Sequence, residues 1–493
     1  MTSKVWLAVA LALVPLAWLK RYALDEFQYS HAAWLVSKGQ VPHRDFFEFH
    51  FELPYELLSV FYVWPEAGPE RIRALRLGMV AVVALSLWAM ARLNREQGAL
   101  AMMVAPLIAV FSPSFVLNGT EVRPDVFAFA FFLAALATKE KGALPGVLLG
   151  LAVLSSQKVL LYGAPFLLLL NRRLVAGFAA VLAGQLLLLL ATGSLGAWWE
   201  QTWVFAYRHE QAYPGFPATR YLWPAVQQQV GLFGLAALGA WASRRDRVPL
   251  LVLGTTLFSF CFARAPFPYA LVPFAGMAAL FAARGVAALK PQWRGVALGV
   301  VAFQGAVALW GVGSNTQQHE VLAKVGRLTA ATDPVFDSSG GASARPHVGF
   351  RYYTNAWIHE AEATTLGARI AREVREAQCT AALRDVRFDW LPADAKAFVT
   401  EHFQPYDGDL RLWGQRLPAG RGTFEAVRGA RYFVEPAQAL RIDGREVEGP
   451  EFWLERGAHE VELDREGFVL WLPANGERWR PDFDTKPVFS TLF

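Results

Sequence analysis

The residues able to do chemistry gather where apolar stretches of the chain end. Asp25 and Glu26 follow the apolar run 5–19 within a few positions. A carboxylate held beside lipid loses hydration, which raises its pKa and suits it to general-base work. The same pair also reads as the first-turn acids that cap a helix. Glu121 and Asp125 bracket Arg123 in Asn118-Gly119-Thr120-Glu121-Val122-Arg123-Pro124-Asp125, directly before another apolar run. Pro124 fits the first turn of a helix, and Asp125 would sit at its positive end. An arginine and two acids at a membrane boundary read either as a local ion-pair network or as a functional group, since ionisable side chains at that depth are costly.

Lys158, in Ser155-Ser156-Gln157-Lys158, and Arg264, in Phe262-Ala263-Arg264-Ala265-Pro266-Phe267-Pro268-Tyr269, stand beside apolar helix ends. Either would bind a lipid phosphate, the arginine bidentately and the lysine as a point charge, or would snorkel to the interface. His50 and Glu52 lie in His50-Phe51-Glu52-Leu53-Pro54-Tyr55. The segment 193–221 carries Trp198, Trp199, Trp203, Tyr207, Tyr213 and Tyr221, with Arg208 and His209 among them. Such a cluster is an interfacial anchor first and a wall for a sugar ring second.

Several chemistries are excluded by what is missing. No Gly-rich phosphate loop is present, which argues against ATP-driven transport. Neither His-x-x-x-His nor cysteine spacing for a metal occurs in the outer loops. The two cysteines, Cys261 and Cys379, read as unpaired structural thiols. Basic residues fall in short clusters between apolar runs, so nucleic acid is not an expected partner.

These groups need a membrane to position them. Of 493 residues, 54% are hydrophobic and 18% charged, against about 25% charged in a soluble protein. The deficit lies in residues 1–312, where the apolar runs are 5–19, 74–91, 99–117, 124–138, 143–155, 159–170, 174–192, 222–242, 248–263, 268–283 and 295–312. This predicts a polytopic α-helical membrane protein of about eleven spans, several of them short for a bilayer. With the N-terminus inside, the inner loops carry Arg92/Arg95, Lys139/Lys141, Arg172/Arg173, Arg244/Arg245/Arg247 and Arg284/Lys290/Arg294. Every inner loop is then basic, as the positive-inside rule asks. Arg71, Arg73 and Arg76 break the rule, in a long first outer loop that translocates largely regardless of charge. The segment Glu26–Ser37 is expected to lie along the interface with Phe27, Trp34 and Leu35 toward the membrane. An odd number of spans puts residues 313–493 outside, in the periplasm of a cell with an outer membrane.

The order of these pieces resembles the GT-C class of membrane glycosyltransferases, in the bacterial branch related to protein O-mannosyltransferases and aminoarabinose transferases. The resemblance covers most of residues 1–312. It rests on Asp25-Glu26 after the first span, Ala33…Gly39…Pro42…Asp45 running into His50…Pro54, Arg123-Pro124-Asp125 opening a span, Gln157-Lys158, and Phe267-Pro268-Tyr269…Pro273. It implies transfer of a sugar from a polyprenyl-phosphate carrier to an acceptor (protein, lipid or polysaccharide) on the outer face, usually with inversion. Asp25 would be the general base, with Glu26 and Asp125 beside it in the catalytic group. Asp125 and Glu52 would orient the acceptor or donor sugar. Lys158, Arg264 and Arg123 would neutralise the departing phosphate. His50, Glu121 and Tyr269 complete the substrate-binding set. Some relatives hold a metal near the site; the residues here require none, though a divalent metal is compatible with the resemblance. At Glu52-Leu53-Pro54 the basic residue that many relatives carry is absent.

Beyond Val312 the composition becomes that of a water-soluble protein. Residues 313–420 read as an α/β domain: strand Pro334–Asp337, helix Glu360–Ala377, strand Thr380–Arg387, helix Pro392–His402 and strand Asp409–Gln415. Residues 421–493 read as a small β-rich domain, with strands Phe452–Leu454, His459–Leu463 and Gly467–Leu472 and a turn at Asp443-Gly444. The tract Asp337-Ser338-Ser339-Gly340-Gly341 reads as a turn or an anion site facing the membrane. Two other readings use the same residues: a lipid or solute transporter, and a non-catalytic lipid-binding member of the same fold. Charges buried in midplane helices would mark transport, whereas here the unusual charges gather in outer loops.

Overall fold

The computed structural model describes residues 4–62, 68, 70–208, 215–342, 344–353 and 364–490. Among the described residues four helices are long and apolar enough to cross a membrane: Glu70–Leu93, Arg172–Ala191, Pro268–Ala288 and Pro291–Trp310. Six shorter apolar segments, Val5–Leu19, Ala99–Val110, Pro124–Ala137, Leu144–Ser155, Val230–Ala242 and Arg247–Phe262, fall on other predicted runs. The eleven apolar runs are therefore not eleven helices of spanning length. Local sequence explains the shortening. The first run breaks before Val14-Pro15 into Val5–Leu11 and Val14–Leu19. The third stops at Val110, and Ser112 caps a new helix, Pro113–Asn118, with proline in its first turn. Run 159–170 divides into the single turn Val159–Tyr162 and a 3-10 stretch, Ala164–Leu169.

Small residues let the apolar helices approach closely. A Cβ added to Gly239 would lie 1.8 Å from the Phe281 carbonyl, and one on Gly285 would lie 2.2 Å from that of Leu235. The helices Val230–Ala242 and Val272–Ala288 thus meet backbone to backbone, a packing mode that lipid-embedded helices favour.

The exit from the last apolar helix is stitched to the end of the first. Arg21 N donates to Gly313 O at 2.7 Å, and Asn315 N to Leu19 O at 2.9 Å. The Gln318 amide accepts from Tyr22 N at 2.7 Å and donates back to Tyr22 O at 3.1 Å. The C-terminal part therefore starts next to Asp25.

The described residues of that part form eleven strands. They are β1 (Val335–Asp337), β2 (Ala381–Leu383), β3 (Phe403–Asp407), β4 (Leu410–Leu417), β5 (Gly420–Ala426), β6 (Ala430–Glu435), β7 (Leu440–Ile442), β8 (Arg445–Val447), β9 (Glu451–Leu454), β10 (Gly457–Leu463) and β11 (Gly467–Trp471). A seven-stranded sheet runs β1-β2-β4-β11-β6-β9, with β3 also on β4; a four-stranded sheet runs β5-β10-β7-β8. β1 and β2 are parallel, and the crossover between them carries the helix Leu366–Glu376. Residues 360–363 of the helix predicted there lie outside the described residues. Strands from both sides of residue 420 share the larger sheet, because β4 pairs with β11. Asp443 and Gly444 take φ of 52° and 77°, turning β7 into β8.

Two apolar cores result, and they interlock. Trp413, Tyr432 and Trp471 centre the C-terminal core, which also takes Tyr22, Leu24, Phe27 and Ile72 from the N-terminal part. In return Tyr352 and Tyr353 enter the helical core. This corrects the expectation for the helix Leu24–Ser37. Phe27, Trp34 and Leu35 are buried, and Phe27 packs edge-on against Phe489. The helix is covered by protein, where the sequence predicted membrane.

Candidate active site

Asp25 occupies the first turn of the helix Leu24–Ser37, and its carboxylate is gripped from two directions. One oxygen accepts from Arg123 Nη1 at 2.8 Å, and the other from Nη2 of Arg387, in the C-terminal part. The side chain keeps 16% exposure. Burial by itself pushes this carboxyl up, but the two guanidiniums outweigh it and hold the group below the usual carboxylate range. The sequence had led us to expect a raised pKa. Cations supplied from distant segments reverse its sign.

Arg123 links this carboxylate to the next. Its Nε donates to Glu121, whose other oxygen accepts from Lys20 Nζ. Burial would raise Glu121, yet Lys20 and Arg123 hold it at about 2. The Arg123 guanidinium also lies over the Tyr269 ring, 3.9 Å from its centroid. Pro124 opens the helix Pro124–Ala137 as predicted, which puts Asp125 in its first turn. There Asp125 accepts from Lys158 Nζ at 2.7 Å and Ser156 Oγ at 2.9 Å. Lys158 is the accessible cation of the group, with 41% side-chain exposure, and its Nζ stands 5.2 Å from the Tyr269 centroid. Asp25, Glu121, Arg123, Asp125, Lys158 and Tyr269 thus form one connected cluster.

The remaining predicted residues stand elsewhere. Glu26, expected in the catalytic group, is wholly buried. Its carboxylate accepts from Arg76 Nε at 2.8 Å, Ala23 N at 2.9 Å and Val122 N at 3.0 Å. With both oxygens committed, Glu26 anchors the helix start to the loop before Arg123. Arg76, which broke the positive-inside rule, is the buried partner of that anchor. Glu52 contacts His43 Nε2 at 3.4 Å and Gln185. It lines a cleft with Glu56, Leu188 and Thr192, so its contacts run away from Asp25. His50 Nδ1 bonds Glu48 Oε1 at 2.7 Å, and its ring meets that of Tyr29 edge-on at 5.4 Å. Arg264 is exposed, in a loop whose carbonyl accepts from Phe216 N at 2.9 Å. Trp198 stacks on Phe51 at 5.5 Å, while Trp199 and Tyr207 are exposed. His209 and Tyr213 lie outside the described residues. Asp337 caps its own loop, accepting from Ser339 N at 2.9 Å and Ala342 N at 3.2 Å, and Gly340 of that loop sits against His31.

Sequence reasoning missed Arg387 and Glu48. Arg387 was placed in a strand running to residue 387; the strand ends at Leu383, and Asp385 then caps a 3-10 turn, Val386–Trp390, by accepting from Arg387 N at 2.7 Å. The aspartate two residues before it was the available signal. Glu48 is buried and also accepts from Tyr352 OH at 2.8 Å. An acid among Phe46, Phe47 and Phe49 was its only mark in the sequence.

No protein-family model matches the sequence, and no curated protein matches it. Solved structures do. ArnT from Cupriavidus metallidurans in the apo state superposes with a TM-score of 0.56 at 13% identity, over 83% of this chain and 96% of that one. The same protein bound to undecaprenyl phosphate gives 0.50 at 13% identity, over 76% and 81%. An Archaeoglobus fulgidus oligosaccharyltransferase gives 0.49 at 9% identity over 98% of each chain. The chain shares its fold with ArnT.

Proposed function

We propose that this chain transfers a hexosyl or pentosyl group from a polyprenyl-phosphate carrier to an acceptor at the outer face of the plasma membrane. The observation that carries the reading is Asp25, a part-exposed carboxylate set between two arginines and beside the Asp125–Lys158 pair. The shared fold supports it, and one of the similar structures is bound to undecaprenyl phosphate.

In this reaction an acceptor oxygen attacks the anomeric carbon. The bond from that carbon to the phosphate oxygen breaks, and its electron pair leaves with the phosphate. The acceptor proton passes to Asp25. A carboxylate held ionised by two cations is a weak base, which suits late proton transfer, once the bonded acceptor oxygen has become strongly acidic. Charge grows on the phosphate as the bond breaks, and Lys158 and Arg123 are preorganised cations for it. Asp125 orients Lys158, and the Tyr269 face fixes both cations.

A resident metal does not fit the residues present. Asp25, Glu121 and Asp125 are each taken by a cation of the chain. Among the described residues no three of His, Cys, Asp and Glu converge as ligands. The mechanism therefore takes no step through a metal.

The hydrogen bonds between residues 19–22 and 313–318 support an odd number of crossings, with Asp25 and the C-terminal part on one side. In this reading the protein is a multi-pass plasma-membrane protein with a cytoplasmic N-terminus and a C-terminal part outside. The test is turnover of the purified protein with a panel of polyprenyl-phosphate sugars. Release of free polyprenyl phosphate in the presence of an acceptor is expected; no release from any donor overturns the reading.

A further inference from the structure

Arg387 brings an unused capacity to this site. Its side chain is 4% exposed, and only Nη2 is spent on Asp25. Nε and Nη1 are buried and have no hydrogen-bond partner among the described residues. Arg123 is in the same condition, with Nη1 on Asp25, Nε on Glu121 and Nη2 buried without a partner. A guanidinium has five N–H donors in a rigid planar fork and cannot shed its charge. Leaving such donors buried and unpaired is costly. Three such nitrogens, on two arginines holding one carboxylate, make a place for an anion.

The geometry points to Arg387 as a phosphate ligand that the C-terminal part supplies to the membrane site: with Nη2 on the base, a remaining donor of Arg387 and the free Nη2 of Arg123 take oxygens of the carrier phosphate. This rests on the reading of the chain as a polyprenyl-phosphate glycosyltransferase. It adds that the phosphate is bridged to the base through arginine. A guanidinium can hold Asp25 with one nitrogen and the leaving group with another. Arg387 reaches the site because Asp385 caps the turn before it, and because Ser339 Oγ donates to that same Asp385 from the loop that packs on His31.

The experiment measures binding rather than turnover, with the full chain in nanodiscs. The probes are polyprenyl phosphate and the uncharged polyprenol of equal length. Wild type should bind the phosphate at least about tenfold more tightly than the alcohol, as the gain of charged hydrogen bonds requires. Arg387→Ala should lose most of that preference, the remainder resting on Lys158 and Arg123, and leave alcohol binding unchanged. Arg387→Lys, which keeps the charge but not the planar fork, should retain part of it and keeps the test open if the alanine variant does not fold. Unchanged phosphate affinity in either variant overturns the assignment, as does an equal loss for phosphate and alcohol. Turnover together with unchanged phosphate affinity in the variants would sink Arg387 alone. Phosphate selectivity that depends on Arg387 without turnover would support Arg387 and sink only the transfer reaction.

Discussion

Asp25 and Arg387 are 362 residues apart in the chain and form an ion pair. That pair joins the first turn after the first apolar segment to the 3-10 turn that follows β2, so the site is complete only when the C-terminal part is docked. Arg123 completes the bracket from a third segment, at 2.8 Å. The carboxylate is therefore ionised and oriented before any ligand arrives.

Asp25→Asn keeps the shape of the side chain and removes its capacity to take a proton. Turnover should fall by roughly 10²–10⁴-fold, while polyprenyl-phosphate binding is retained, since the arginines stay in place and one of them gains a free donor. Single-turnover assays beside binding isotherms separate the two effects. Near-normal turnover would remove Asp25 from the base role.

Glu26→Ala should act on stability. It leaves Arg76 as a buried, unpaired charge, with a cost of about 3–5 kcal/mol. Thermal unfolding in detergent reads the loss directly. A variant that unfolds with wild type but does not turn over would return Glu26 to the catalytic group.

Lys158→Met removes the accessible cation beside Asp125, and the donor KM should rise about tenfold or more through the loss of a charged contact. Arg264→Ala, at an exposed loop position, should change it less. Steady-state kinetics with varied donor at saturating acceptor rank the two. A larger effect from Arg264 would exchange their roles.

The C-terminal part and the helix Leu24–Ser37 beneath it carry opposing pH responses. Burial pushes the Asp337 carboxyl up to about 6, above its unfolded value. The folded state then holds more protons than the unfolded one between about 4 and 6, so this group's contribution falls as pH rises through about 6. Burial lowers His347 to about 4 and His31 well below the ordinary range. Their contribution is present above about 6.5 and is lost as pH falls toward 4. Asp337→Asn should therefore gain stability relative to wild type as pH rises from 5 to 7.5. Unfolding temperatures of both proteins across that range check it, and parallel curves would contradict it.

A reporter fused after Phe493 should be active only on the outer side of the membrane, and one fused after Arg245 only on the inner side. A cytoplasmic signal from the C-terminal fusion would overturn the odd number of crossings and with it the side on which Asp25 acts.

Much of this molecule is legible without coordinates because the governing interactions are local. Apolar runs mark the helices, Pro124 marks where one begins, and Asp443-Gly444 marks a hairpin, since each depends on neighbours a few residues away. The cluster of Asp25, Arg123, Asp125 and Lys158 could be guessed because every member sits at the end of an apolar run. The residue order alone also showed that the chain changes character after Val312. Only the tertiary structure decided what those residues do to one another. Whether the helix Leu24–Ser37 meets lipid or protein depends on a domain that begins some 290 residues later, and its docking buries Phe27 and Trp34. The direction of the Asp25 shift depends on cations brought in from residues 123 and 387. Glu26 and Asp25 are adjacent in sequence, yet successive side chains on a helix point about 100° apart. One is consumed by Arg76, and the other is left facing the site.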